Sequence, residues 1–96
     1  MDPVKAKYLD EAIGSVSELD KLSVVNGISS HYIGLEREDG EVRINANVEG
    51  LVHIALSMLK LAKKEVGAHV HFDESGIVDK GEFQLIITNC EADWEA

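Results

Sequence analysis

The residues from Asn45 to Asp73 constrain the fold most, because within them the spacing of apolar side chains changes from a helical period to a strand period. Between residues 48 and 66 apolar side chains recur every three or four positions, which predicts one buried helical face. Asn47 can cap the first turn with its side-chain oxygen, and Gly67 suits a left-handed residue after the last turn. The sequence therefore predicts a long helix over 48–66.

The residues after this helix alternate between apolar and polar, which is typical of a half-buried strand. One face of the strand would join the core. The other face would carry His69, His71 and Asp73 in a row. All three are metal-ligand types, although a metal site would also need a fourth partner or an open position, and His31 and His53 are the other histidines. The alternative is a polar sheet face whose imidazoles hydrogen bond to neighbouring strand residues.

Asp39-Gly40 lies between two alternating runs and predicts a two-residue hairpin turn. A turn of that length fixes the register and sets Leu35 opposite Ile44, with both side chains on the core-facing side. Tyr32 falls on the opposite, polar face. Asn26-Gly27 fits either a second tight turn or a loop that leads into the sheet.

The remaining segments complete an α+β domain. Asp2-Pro3 predicts a helix start, residues 74–82 a loop and residues 83–90 a last strand. The order is an N-terminal helix followed by β-β-α-β-β, and the simplest architecture is one four-stranded, mainly antiparallel sheet with the long helix packed on one face. We expect a single domain, 1–96, made of a peripheral helix (1–22), a core (28–90) and an acidic tail (91–96).

The charge is strongly acidic, with 18 acidic and 9 basic residues and a formal net charge of −9. This field repels phosphate backbones, so we expect no nucleic-acid partner, and it would attract a basic protein. Plain solubility is the other explanation. The first twenty residues lack a secretory signal, the lone Cys90 has no partner for an internal disulfide, and the apolar helix falls short of a membrane span. A soluble cytoplasmic protein is expected.

The chain carries no phosphate-binding loop, zinc-protease motif, Cys-x-x-Cys pair or nucleophile elbow. We therefore expect a protein that is not an enzyme and needs no cofactor. Trp94 stands among carboxylates in the tail, and Tyr32 stands on the polar sheet face. Aromatic residues of this kind often anchor a partner at an interface.

Three runs of the sequence together resemble a known family. They are Asn47-Val48-Glu49-Gly50-Leu51 at the helix start, Gly67-Ala68-His69-Val70-His71-Phe72-Asp73 after the helix, and Phe83-Gln84-Leu85-Ile86-Ile87 in the last strand. They look like an immunity-protein family of bacterial polymorphic toxin systems, the one numbered thirty-two in that classification. The resemblance covers roughly residues 33–90 and leaves out the N-terminal helix.

The resemblance implies a cytoplasmic protein that binds one cognate toxin domain and blocks it. Many effector toxins are basic nucleases, and an acidic inhibitor can occupy the surface meant for phosphates. We expect the partner-binding surface to comprise His69, His71, Asp73, Glu82, Asp93, Trp94 and Tyr32. Two alternatives remain: a metal- or small-molecule-binding module that uses the His69, His71 and Asp73 face, and a homodimeric structural or regulatory domain, suggested by the apolar Ile86 on the outer face of the last strand.

Overall fold

The computed structural model describes residues 1–90, and it confirms the α+β class. Within this range the chain forms two helices and seven short strands in three small sheets. The elements are α1 (Pro3–Lys21), β1 (Val24–Val25), β2 (Ile28–Ser29), β3 (Ile33–Glu38), β4 (Glu41–Ala46), α2 (Val48–Lys63), β5 (His69–Phe72), β6 (Lys80–Gly81) and β7 (Leu85–Thr88). Asp93 and Trp94, which we predicted to bind a partner, lie outside the described residues.

Both helices begin at the predicted caps. The Asp2 carboxylate accepts hydrogen bonds from the first-turn amides of α1, and Asn47 Oδ1 accepts one from the Gly50 amide at 2.8 Å. The second helix ends earlier than predicted, at Lys63, because Lys64 is extended. Gly67 is left-handed (φ 95°) but forms the turn into β5 instead of the helix cap, and its amide donates to the Asn89 carbonyl at 2.7 Å.

The β3–β4 hairpin has the predicted register, with Leu35 opposite Ile44. Its turn residues Asp39 and Gly40 both have positive φ (48° and 79°), as a type I′ turn requires. Asn26-Gly27 takes the same kind of turn (φ 53° and 76°) and joins β1 to β2. Of the two alternatives for Asn26-Gly27, the structure has the tight turn, which closes a second, very short hairpin.

The predicted four-stranded sheet is wrong. The described strands form a three-stranded sheet in the order β4-β3-β6 and two separate pairs, β1-β2 and β5-β7. The reason is that part of the expected 74–82 loop occupies the free edge of β3: β6 pairs with β3 in parallel, and Asp79 bonds to Ile33 through both its amide and its carboxylate. With that edge filled, β5 pairs antiparallel with β7 alone.

The core is small and lies between α2 and the sheets. Its buried cluster comprises Ile33, Leu35, Phe72 and Val78, with Leu56 and Leu61 buried on α2. The first helix packs along α2 but buries none of its own residues fully. The molecule is only 19 Å thick in its smallest dimension, so many large apolar side chains stay exposed. Neither described helix has the length and apolarity that crossing a bilayer would take.

Candidate functional site

The predicted polar face of β5 is present and is organised by a residue from the neighbouring segment. Gln84 Nε2 donates hydrogen bonds to His71 Nδ1 at 2.6 Å and to Asp73 Oδ2 at 2.8 Å. His69 and His71 are exposed, and their ring centroids lie 4.8 Å apart. The amide of Gln84 therefore fixes His71 relative to Asp73 across this face.

The other oxygen of Asp73 is also occupied. Asp73 Oδ1 accepts the backbone amide of Ser75 at 2.9 Å and the Ser75 hydroxyl. The bonds from Ser75, followed by the bond from Gln84, hold the pKa of the Asp73 carboxyl below its ordinary value. The protein's own donors thus engage both carboxylate oxygens, and the structure does not bring His69, His71 and Asp73 together as a set of metal ligands.

Two other predicted residues, Tyr32 and Glu82, meet in a shallow groove on the three-stranded sheet. The groove has a volume of about 80 Å³. Its lining consists of Tyr32, Gly34, Leu35, Glu36, Asn45, Lys80 and Glu82. The Tyr32 ring lies over Gly34, where a Cβ would come within 2.9 Å of the phenolic oxygen. We call this feature the Tyr32 groove.

One hydrogen bond links β6, which lies beside the Tyr32 groove, to the turn that follows β5. The Gly81 amide, next to Glu82, donates to Glu74 Oε1 at 2.8 Å, and Glu74 follows Asp73 in the chain. This bond brings the turn after β5 against β6. The residue after Asp73 is thereby bonded to the residue before Glu82.

A second cluster, which no sequence motif predicted, lies where α1, α2 and the segment before β3 meet. Asp20 stands in the last turn of α1, His31 between β2 and β3, and His53 on α2. Asp20 Oδ1 lies 2.9 Å from His31 Nε2, and Asp20 Oδ2 lies 3.1 Å from His53 Nδ1. The side chains of His31, Asp20 and His53 are 7%, 15% and 29% exposed. Of the residues in 1–90, these three alone place three potential metal-ligand atoms within 4.8 Å of one another.

The Asp20 carboxylate is held in its charged form. Burial on its own would raise the pKa of Asp20, but the hydrogen bonds from His31 and His53 outweigh burial and hold the pKa below its ordinary value. On the far side of the His31 ring, Nδ1 contacts the Ser29 hydroxyl. Ser29, His31 and Asp20 thus form a chain of hydrogen bonds, but the ring nitrogens are used in the reverse of the catalytic-triad order, in which serine contacts Nε2.

The sequence did not predict this cluster because its members lie on α1, on α2 and in the segment between β2 and β3, and form no short motif. Only the packing of α1 against α2 brings Asp20 to His53, thirty-three positions away. The one available signal was an imidazole, His53, within a largely apolar helix.

The chain was compared with protein-family models, curated proteins and solved structures. No family model, curated protein or solved structure matches the chain. The resemblance to immunity proteins therefore stays a prediction.

Proposed function

We propose that this chain is a cytoplasmic immunity protein, not an enzyme, which binds and neutralises a basic, nuclease-type bacterial toxin domain. The observation that carries the proposal is the Tyr32 groove, which is lined by Tyr32, an aromatic residue that is 42% exposed, and by the acidic residues Glu36 and Glu82. The resemblance to immunity proteins and the net charge of −9 support the same partner chemistry.

The chemistry of the groove suits an arginine or lysine side chain of the partner. A carboxylate accepts charge-assisted hydrogen bonds from a guanidinium, and a tyrosine face attracts a cation. Glu36 is already oriented by Asn45 Nδ2, which donates to its Oε1 at 2.7 Å. Lys80 also lines the groove, and its charge partly offsets the two carboxylates. The groove therefore orients the partner, while the net charge of the whole chain speeds the encounter.

The test is capture of the partner by the tagged full chain from its native host, followed by elution with increasing salt. We expect one basic protein, released at lower salt from the double variant Glu36→Gln, Glu82→Gln. The matched control is Glu11→Gln, Glu18→Gln, which makes the same charge change on exposed positions of α1. Equal elution of both double variants, or capture of an acidic protein, contradicts the proposal.

A single substitution that leaves the charge unchanged tests the contribution of the Tyr32 ring. In Gly34→Ala the new methyl group meets the phenolic oxygen of Tyr32, the free end of a side chain, so the ring shifts while the charge stays constant. We expect this variant to release the partner faster than the unchanged chain does.

Neutralisation of the toxin is tested separately from binding, by a growth assay. The captured protein should inhibit growth when it is expressed alone, and co-expression of this chain should restore growth. Restoration should fail with the Glu36, Glu82 double variant and persist with the α1 control. A captured protein without toxicity overturns the immunity function, and recovery of only a second copy of this chain favours the homodimeric alternative.

A further inference from the structure

The cluster of Asp20, His31 and His53 has the composition of a transition-metal site. Two imidazoles and one carboxylate are the ligand set of many sites for zinc and neighbouring metals, in which one or more positions stay open for water. Ligand bonds of about 2.0–2.2 Å place neighbouring ligand atoms about 3 Å or slightly more apart. Asp20 Oδ1 lies 2.9 Å from His31 Nε2, and Asp20 Oδ2 lies 3.1 Å from His53 Nδ1. One ligand atom from each of the three residues lies within 4.8 Å of the other two, so small side-chain movements would bring the set to that spacing.

The surroundings of His31 match those of a metal ligand. A ligating histidine usually has its second ring nitrogen bonded to another group, which fixes the ring. Ser29 occupies that place at His31 Nδ1. A hydroxyl can either donate or accept, so it can stay bonded when Nδ1 carries the proton and Nε2 is free to bind a metal.

The three residues differ in exposure to solvent, and a metal site with one open position needs such an exposed side. His31 is nearly enclosed, whereas His53 is 29% exposed and forms the solvent side of the cluster. An ion could enter on the His53 side and keep water as a further ligand. Asp20, whose carboxylate is ionised, would supply a negative charge against the ion.

We propose that Asp20, His31 and His53 bind one divalent transition-metal ion, with Zn²⁺ as the expected ion and water in the open position. This site shares no residue with the lining of the Tyr32 groove, and the proposal does not depend on the proposed partner. The bound ion would tie α1 to α2 and to the segment that leads into β3. That attachment matters because α1 buries no residue of its own and is otherwise held to α2 by partly exposed contacts such as the Lys63 to Asp10 ion pair.

The rival explanation is that the Asp20 carboxylate serves only as a hydrogen-bond acceptor for two histidines. In that case the cluster holds the helices together without an ion. The two explanations differ in one measurable respect, since only the first predicts that added metal binds here and stabilises the folded state.

The experiment is calorimetric titration of Zn²⁺ into the chelator-treated full chain, together with thermal unfolding with and without Zn²⁺. We expect one ion per chain and a higher unfolding temperature with Zn²⁺. Co²⁺ should give a visible absorption band typical of four- or five-coordinate sites with nitrogen and oxygen ligands. His53→Gln should weaken Zn²⁺ binding by at least about 100-fold, and Ser29→Ala by roughly 10-fold because it removes the partner of a ligand.

The matched control is the double variant His69→Gln, His71→Gln, which removes the exposed imidazole pair and leaves the cluster intact. It should bind Zn²⁺ like the unchanged chain. His53 is the partly exposed member of the cluster, so its variant is expected to fold, and far-ultraviolet circular dichroism checks this. Absence of Zn²⁺ binding, or binding that survives His53→Gln and disappears in the control, overturns the proposal.

Discussion

Gly50 lies directly against the carbonyl oxygen of Tyr32, so close that a Cβ at position 50 would overlap it. Asn47 completes the same junction, because its side-chain oxygen accepts the amides of both Tyr32 and Gly50, at 2.9 and 2.8 Å. The start of α2 is thereby fixed to the residue before β3. Since Tyr32 also forms the proposed partner groove, this junction sets the position of the groove relative to the helix.

Gly50→Ala is expected to destabilise the protein, although alanine is the better helix former. The new methyl group would overlap the backbone of Tyr32 and crowd Ile33, and overpacking of this kind costs about 1–3 kcal/mol. Urea unfolding measures the difference. The control is Gly14→Ala on α1, where a Cβ meets nothing within 4 Å and should stabilise by about 0.5–1 kcal/mol. A stabilised Gly50 variant would contradict the close approach.

Asn47→Ala should cost more than the loss of an ordinary helix cap, which is about 0.5–2 kcal/mol. The side chain accepts from Tyr32 and Gly50 and also donates from Nδ2 to the Ser30 carbonyl at 2.7 Å. Asn47→Asp keeps the acceptor and loses the donor, so its unfolding midpoint in urea should fall between those of the unchanged chain and the alanine variant. Equal midpoints for the two variants would show that the bond to Ser30 dominates.

Sequence patterns predicted the helix starts and the hairpin correctly, because each of these is determined by residues that are close together in the chain. The turn chemistry of Asp39-Gly40 fixed the register of β3 and β4, and the caps at Asp2 and Asn47 fixed both helix starts. The end of α2 was missed by three residues because Gly67 serves the next turn instead of the helix. Helix ends are the weakest part of such a prediction because several nearby residues can stop a helix.

The arrangement of sheets was not predictable because it depends on a contact distant in sequence. Nothing in residues 74–82 has a strand period, yet Asp79 bonds to Ile33, forty-six positions away, and leaves no edge for β5. The Asp20, His31 and His53 cluster was missed for the same reason. The polar face of β5 was predictable from alternation alone, but its link through Gln84 was not.

The pKa of Asp73 should lie below the ordinary aspartate value of about 3.9, because Ser75 and Gln84 donate to its charged form. A lowered folded-state pKa stabilises the protein above the unfolded-state pKa, and this contribution is lost as the pH falls through the folded-state value. A carbon NMR titration of the Asp73 carboxyl measures the midpoint. Ser75→Ala removes the hydroxyl bond and keeps the backbone bond, so it should raise the midpoint, and an unchanged midpoint would show that the Ser75 hydroxyl does not hold the charge.

Asp79→Ala tests how much the Asp79 side chain contributes to holding the segment 74–82 against the edge of β3. The Asp79 carboxylate accepts the amide of Ile33, a residue that is fully buried, at 2.9 Å. Removing the acceptor leaves a buried amide without a partner, which costs about 1–3 kcal/mol, whereas the Asp79 amide and β6 stay bonded to β3. The Ile33 amide should then exchange faster with deuterium, and the urea midpoint should fall. Asp79→Asn is the matched control, because its amide oxygen can still accept while the charge is gone. If both variants lost the same stability and the same exchange protection, the charge of Asp79, and not its hydrogen bond to β3, would hold the edge closed.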